Sequence, residues 1–284
     1  MSGLPGKSDR TKGIDQGKPE LVEGYIKMNE KIIIKVGTAT LSSDKPEKAI
    51  NIEIIEKLSE IISRLKESGH KVILVTSGAV ALGAKELNQR LKLKTVHEKQ
   101  TAASIGQVKL METYERFFSK YKIIIAQILL TRDGFEQKRV YKNTEKTLCS
   151  LLNVGVIPII NENDAVASEE IRFGDNDILS ALVSKLIRAD RLIILTDEDG
   201  LYDSNPKINK NAKLISVVKK ITPEIHKMAS GKGSEFSMGG MKSKLQAAKF
   251  ATSHGIKTHI MFGKKPENIL NILKNNNIGT TFFP

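Results

Sequence analysis

The sequence predicts an α/β protein: a three-layer αβα sandwich with a mostly parallel central sheet. Three observations carry this. Apolar strand runs alternate with helical spacings along most of the 284 residues. The strand runs are apolar at nearly every position, as expected when helices cover both faces of a sheet. No Pro/Gly/Ser-rich linker or internal repeat divides the chain after residue 30, so one domain over 29–284 is expected.

The elements follow in order. Residues 1–28 are rich in Gly, Lys, Asp and Ser without periodicity and read as a flexible extension. KIIIKVGT (31–38) is a buried-strand run. Ile54, Ile55, Leu58, Ile61, Ile62 and Leu65 recur at helical spacing within 52–68, and Gly69 ends that helix. KVILVT (71–76) is the second strand, and SGAVALGAKEL opens the next helix. A helix is expected over 100–120, a strand over 123–131, a helix over 143–153 and a strand over 154–161. Helix 178–189, strand 191–197, helix 241–255 and strand 258–262 complete the alternation.

Composition narrows the function. No apolar run approaches the roughly 20 residues of a membrane span, and the N-terminus lacks a signal-peptide core. Cys149 is the single cysteine, which excludes an intrachain disulfide and a multi-cysteine metal site and fits a reducing cytoplasm. The net charge of +13 raises nucleic-acid binding. The lysines, however, are spread over helical segments with solvent-facing spacing, and no aromatic-basic stacking motif accompanies them. No nucleic-acid or membrane partner is therefore expected.

In an open parallel sheet, ligands bind beyond the carboxyl ends of the strands. Here those ends are polar and often glycine-rich: Lys35-Val36-Gly37-Thr38, Thr76-Ser77-Gly78-Ala79, Asn161-Glu162-Asn163-Asp164 and Thr196-Asp197-Glu198-Asp199-Gly200. Lys35 interrupts an apolar run and either reaches an anion at the strand end, with Gly37 letting backbone amides approach, or snorkels to water. Ser77 either caps the following helix or helps hold an anion there. Gly239-Gly240-Met241-Lys242-Ser243-Lys244 opens a helix whose glycines could wrap phosphate oxygens or form a simple turn. The clusters INENDA (160–165) and GDND (174–177) place Asp164, Asp175 and Asp177 within a short span of a basic protein. They are candidates for binding an amino group, orienting lysines or contacting Mg²⁺, or else form an acidic loop that caps a helix.

The five histidines lie outside these clusters, and neither H-E-x-x-H, a P-loop nor the protein-kinase signatures occur. A hydroxyl acceptor of a phosphoryl group usually needs a base. A carboxylate acceptor is already ionised near neutrality and needs only positioning and charge neutralisation by lysines, Mg²⁺ and amides.

The segments IIIKVGT, VILVTSGAVALG, KQTAASIGQ, QILLTRDGF, INENDAV, FGDNDILSALVSKLIRAD, LIILTDEDGLYDSNP and GGMKSKLQAAKFA, in order from about Lys31 to the C-terminus, resemble the amino-acid kinase superfamily and, within it, the glutamate 5-kinases. The resemblance implies the amino-acid kinase fold and transfer of the ATP γ-phosphate to the side-chain carboxylate of L-glutamate, which opens proline synthesis. By position, it implies that Lys35 and Lys244 flank the transferring group and that Asp177 holds both lysines. It places Ser77, Asp164 and Asn176 against glutamate, with Asn161 and Asp175 close by. It gives ATP to Lys35, Gly37, Thr196, Asp197 and the loop Met238, Gly239, Gly240, Met241, Lys242, Ser243 and Lys244, with Mg²⁺ bridging phosphate oxygens. It further implies a homodimer or homotetramer and feedback inhibition by proline. The family's loop usually reads T-G-G-M-x-T-K, so Met238 replaces a hydroxyl; the PUA domain of many bacterial members has no counterpart here, as in the short form. A superfamily member acting on acetylglutamate, aspartate or a nucleotide is the neighbouring alternative, and a non-catalytic amino-acid sensor a more distant one.

Overall fold

A computed structural model of the chain describes residues 29–43, 49–88, 91–166, 176–229 and 240–284. The expected extension over 1–28 lies outside them, as do Asp175, Met238 and Gly239. The order of elements is β1 (Lys31–Val36), α1 (Thr38–Leu41), α2 (Ile52–Glu67), β2 (Lys71–Val75), α3 (Ala79–Glu86), α4 (Val96–Phe118), β3 (Ile125–Leu130), α5 (Lys138–Asn153), β4 (Ile157–Glu162), α6 (Asn176–Leu186), β5 (Arg191–Thr196), β6 (Val217–Val218), α7 (Pro223–Ala229), α8 (Met241–Thr252), β7 (Lys257–Phe262), α9 (Asn268–Leu273) and β8 (Thr280–Phe282).

Among the described residues the strands form one sheet of eight in the order β3-β4-β2-β1-β5-β7-β8-β6. Every pairing is parallel except β7 with β8. Side chains alternate across each strand, and the core divides accordingly. Ile32, Ile34, Val36, Val72, Leu74, Ile193 and Leu195 pack under α2, α4 and α9. Ile33, Ile73, Val75, Leu192 and Ile194 pack under α5, α6, α7 and α8. The three-layer sandwich expected from the sequence is the fold observed.

Boundaries shift where local chemistry was stronger than periodicity. Helix α4 begins at Val96 rather than Gln100 because Thr95 and Glu98 form a capping box, the Thr95 hydroxyl accepting from Glu98 N–H and the Glu98 carboxylate from Thr95 N–H. Helix α5 begins five residues earlier than its apolar spacing suggested, on a largely polar first turn. The short elements β6, α7, α9 and β8 are too brief to leave a periodic signal. Among the described residues no helix is long and apolar enough to cross a membrane.

Candidate functional site

The period of two along β1 decides where Lys35 points. It shares the face of Ile33, toward α6 and α8. Its ammonium lies 2.5 Å from Asp177 Oδ1, and Lys244, in the first turn of α8, lies 3.2 Å from Asp177 Oδ2. Ser243 Oγ donates to the same Oδ2 at 3.0 Å. Lys35, Asp177 and Lys244 are all buried. Burial alone would raise the Asp177 carboxyl, but the Lys35 and Lys244 cations outweigh it and hold it below the usual range. Asp177 also sits in the first turn of α6, where the helix dipole favours a negative charge. Gly37 follows β1, and a Cβ there would stand 2.8 Å from Lys35 Nζ, so glycine leaves the ammonium its space. Two cations held by one carboxylate at the carboxyl edge of a parallel sheet form a preorganised anion site.

Asn176 and Asp177 are consecutive but serve two different clusters. The Asn176 amide donates to Thr76 O at 2.8 Å, Ser77 Oγ at 2.9 Å and Asn161 Oδ1 at 3.0 Å. Asn161 Oδ1 also accepts from Glu162 N at 2.9 Å, while Asn161 Nδ2 donates to Gln107 Oε1 at 2.8 Å. Ser77, Asn161, Asn176 and Gln107 are buried. Beneath them Thr76 Oγ1 and the Tyr114 hydroxyl lie 2.8 Å apart, and burial pushes that phenol far above its usual range.

Asp164 follows β4 and lines a cavity of about 600 Å³ between α4 and the ends of β3 and β4. Burial, and then the Glu162 charge, raise its carboxyl to about 7. The cavity floor is apolar (Ala79, Ala103, Met111 and Leu129 contribute), and Gln107 lies in its wall. Such a site suits a small molecule that carries a cationic group at one end.

At the end of β5, Thr196 is buried and its hydroxyl donates to Asp197 Oδ1 at 3.1 Å. The register pairs Val36 with Leu195, which sets Gly37 and Thr196 side by side at the sheet edge. Gly240 caps α8, Met241 is half-buried against the core, and Lys242 is exposed. Among the described residues no three His, Cys, Asp or Glu side chains converge to cage a metal.

The structure therefore gathers Lys35, Asp177, Ser243 and Lys244 into one group and Ser77, Asn161 and Asn176 into a second. Gln107 belongs to the second group and was not singled out by the sequence. The available signal was a glutamine directly after Gly106 in a small-residue stretch, Ala102-Ala103-Ser104-Ile105-Gly106. A Cβ on Gly106 would overlap the Ala79 carbonyl, so glycine is what lets α4 carry Gln107 against the start of α3.

Residues 30–261 match the amino acid kinase family. The chain is 46% identical over 261 residues to a protein of Clostridium perfringens named glutamate 5-kinase, covering 90% of this chain and 96% of that one. It is 47% identical to the glutamate 5-kinase of Clostridium acetobutylicum, covering 92% and 97%, and 49% identical to that of Thermoanaerobacter pseudethanolicus, covering 89% and 68%. Among solved structures, an isopentenyl phosphate kinase of T. acidophilum aligns with a TM-score of 0.63 at 18% identity, covering 89% of this chain and 99% of that one. A carbamate kinase of Giardia lamblia aligns with a TM-score of 0.62 at 15% identity, covering 90% and 98%. At such identities these two bear on the fold alone. With residues 30–261 matching that family and relatives 46–47% identical over nearly their whole length, the chain belongs to the amino acid kinase family.

Proposed function

We propose that this protein transfers the γ-phosphoryl group of ATP to the side-chain carboxylate of L-glutamate, giving L-glutamyl 5-phosphate and ADP, the first step of proline synthesis. The observation that carries the reading is Asp177 held between Lys35 and Lys244, in a chain 46% identical to a glutamate 5-kinase over nearly the whole of that protein.

The attacking carboxylate needs no base, since it is ionised near neutrality. Its oxygen forms the new bond to phosphorus as the bond to the ADP oxygen breaks. Lys35 and Lys244 neutralise charge on the transferring oxygens, and Asp177 fixes both ammonium groups so that little reorganisation is needed. Asp164 takes the substrate ammonium, with Ser77, Asn161 and Asn176 beside it and Asp175 contributing by position. Gly37, Thr196, Asp197 and residues 238–244 hold the nucleotide, and Mg²⁺ bound with it would supply further charge neutralisation. A cytoplasmic homodimer or homotetramer, inhibited by proline, completes the reading by resemblance.

A coupled ADP-release assay across glutamate, acetylglutamate, aspartate and uridylate tests the substrate. Turnover is expected with glutamate; none with glutamate, or faster turnover with another acceptor, overturns the assignment. Asp164 favours a free ammonium and so disfavours the N-acylated acid.

A further inference from the structure

Two backbone groups fix the polarity of the whole amide chain beside the reaction site. Glu162 N–H can only donate, so the Asn161 atom it meets at 2.9 Å is the oxygen. Thr76 C=O can only accept, so the Asn176 atom it meets at 2.8 Å is the nitrogen. The Asn161 nitrogen must then donate, and it does so to Gln107, whose oxygen is thereby consumed at 2.8 Å. What remains is determined. Gln107 keeps an N–H donor, Nε2, and Asn176 keeps an acceptor, Oδ1. Both are buried, and neither has a hydrogen-bond partner among the described residues. Gln107 is 9% exposed and lines the cavity that also holds Asp164.

A buried amide hydrogen without a partner is costly, and a polar ligand atom can recover that cost. That atom must be an acceptor. Given glutamate as substrate, which this step takes from the proposed reaction, three charged groups need places. The reacting side-chain carboxylate belongs between Lys35 and Lys244. The ammonium, a donor only, is incompatible with Gln107 Nε2 and compatible with Asp164 and with the free Asn176 oxygen. The α-carboxylate is the one group left.

We propose that Gln107 is a substrate-specificity residue whose Nε2–H donates to the α-carboxylate of the amino-acid substrate. Gly106 brings it there by letting α4 close on α3 at Ala79, and Asn161 holds its orientation. Asn176 and Asp177, adjacent at the start of α6, join this recognition end to the reacting end. The rule the cavity imposes is a donor for the carboxylate and acceptors for the ammonium.

The decisive variant is Gln107→Glu, which keeps the shape and keeps an oxygen for Asn161 but turns the unpartnered donor into an anionic acceptor. The probes are L-glutamate and its α-carboxamide, which keeps the reacting carboxylate and the ammonium while replacing the α-carboxylate with a group that has N–H donors. The ratio of kcat/KM for glutamate over the amide is expected to fall at least tenfold relative to wild type, with KM for ATP within twofold. An unchanged ratio, including equal losses on both substrates, overturns the proposal and leaves Gln107 a structural residue. Should turnover vanish in this variant, the same ratio is read from calorimetric binding of the two ligands, and Gln107→Met, which removes the donor without adding charge, must lower the ratio less. Wild-type enzyme that does not phosphorylate glutamate would instead overturn the proposed reaction, so the two failures are distinct.

Discussion

Lys35 and Asp177 meet at 2.5 Å although they arise from the second-last residue of a strand and the first turn of a helix far along the chain. The contact is buried on both sides and shared with Lys244. Removing the carboxylate while keeping its shape leaves two buried ammonium groups facing each other. Asp177→Asn is therefore expected to destabilise the fold by about 3–5 kcal/mol and to lower kcat by roughly 10²–10³-fold. Denaturant unfolding and ADP release measure the two effects. A variant of wild-type stability would show that the pair is not holding buried charge.

Lys244→Met separates chemistry from folding. Asp177 keeps Lys35 and the Ser243 hydroxyl, so its charge stays paired, and the methionine stem fills the space of the lysine stem. Activity is expected to drop by about 10²-fold or more, with glutamate binding and melting temperature much less affected. Retained kcat would remove Lys244 from the transfer step.

Asp164 carries a pH signature. Its carboxyl titrates at about 7, raised by burial and by Glu162. In the protonated form it cannot pair with an ammonium, so KM for glutamate is expected to rise as pH falls below about 7, while KM for ATP stays level. Asp164→Asn should raise KM and abolish that trend. The linkage to folding has the opposite sign. Between the ordinary carboxylate range and about 7, the folded state binds a proton that the unfolded state releases. This group therefore lowers ligand-free stability as pH rises through that window. A KM that does not vary between pH 6 and 8 would count against Asp164 as the ammonium partner.

The small-residue contact between α3 and α4 makes a separate claim. A Cβ on Gly106 would overlap the Ala79 carbonyl, and one on Gly83 the Ala102 carbonyl. Backbone, not a flexible side chain, is the obstacle, so the helices must separate. Gly106→Ala is expected to cost about 1–3 kcal/mol or more and to raise KM for glutamate, because Gln107 sits on α4 and Ser77 just ahead of α3, the two elements pushed apart. Thermal unfolding and KM, measured together, test this; a change in neither would show that the helices adjust freely.

The sequence made the sheet legible because long parallel strands are apolar at every position and their helices are strongly amphipathic. Lys35 was legible because a charge inside such a run is costly. Its partners were less so. A helix spacing says which face Asp177 and Lys244 occupy, but their meeting depends on the packing of α6 beside α8. Gln107 was hidden for a different reason: a polar residue on a helix reads as solvated, and only Gly106 and Asn161 turn it inward. The brief strand β8 was hidden because three residues carry no period, yet its Thr281 meets His259 at one end of a buried network that includes Arg191.

At the amino-terminal end of the sheet, away from Lys35 and Asp177, Arg191 donates to both Glu30 oxygens at 2.9 and 3.0 Å and to His259 Nε2 at 2.9 Å. Because a guanidinium only donates, His259 Nε2 must accept, and Nδ1 then carries the hydrogen toward Thr281 Oγ1 at 3.0 Å. A second proton would break the Arg191 contact. Burial first, then the Arg191 and Lys257 charges, hold the His259 imidazole well below its usual range. His70 is lowered as well, by burial and Arg191 against the opposing pull of Glu30. The unfolded chain therefore binds protons near pH 6.5 that the folded chain refuses. Stability from this network is complete above about pH 6.5 and is lost as pH falls below it, by at most about 1.4 kcal/mol per pH unit for each histidine. His259→Gln offers Arg191 an amide oxygen and Thr281 an amide hydrogen without a titrating group. It should flatten the acid limb of melting temperature against pH between 7 and 5 while leaving the value at pH 8 close to wild type. An acid limb as steep as that of wild type would show that His259 is not the group that takes up the proton.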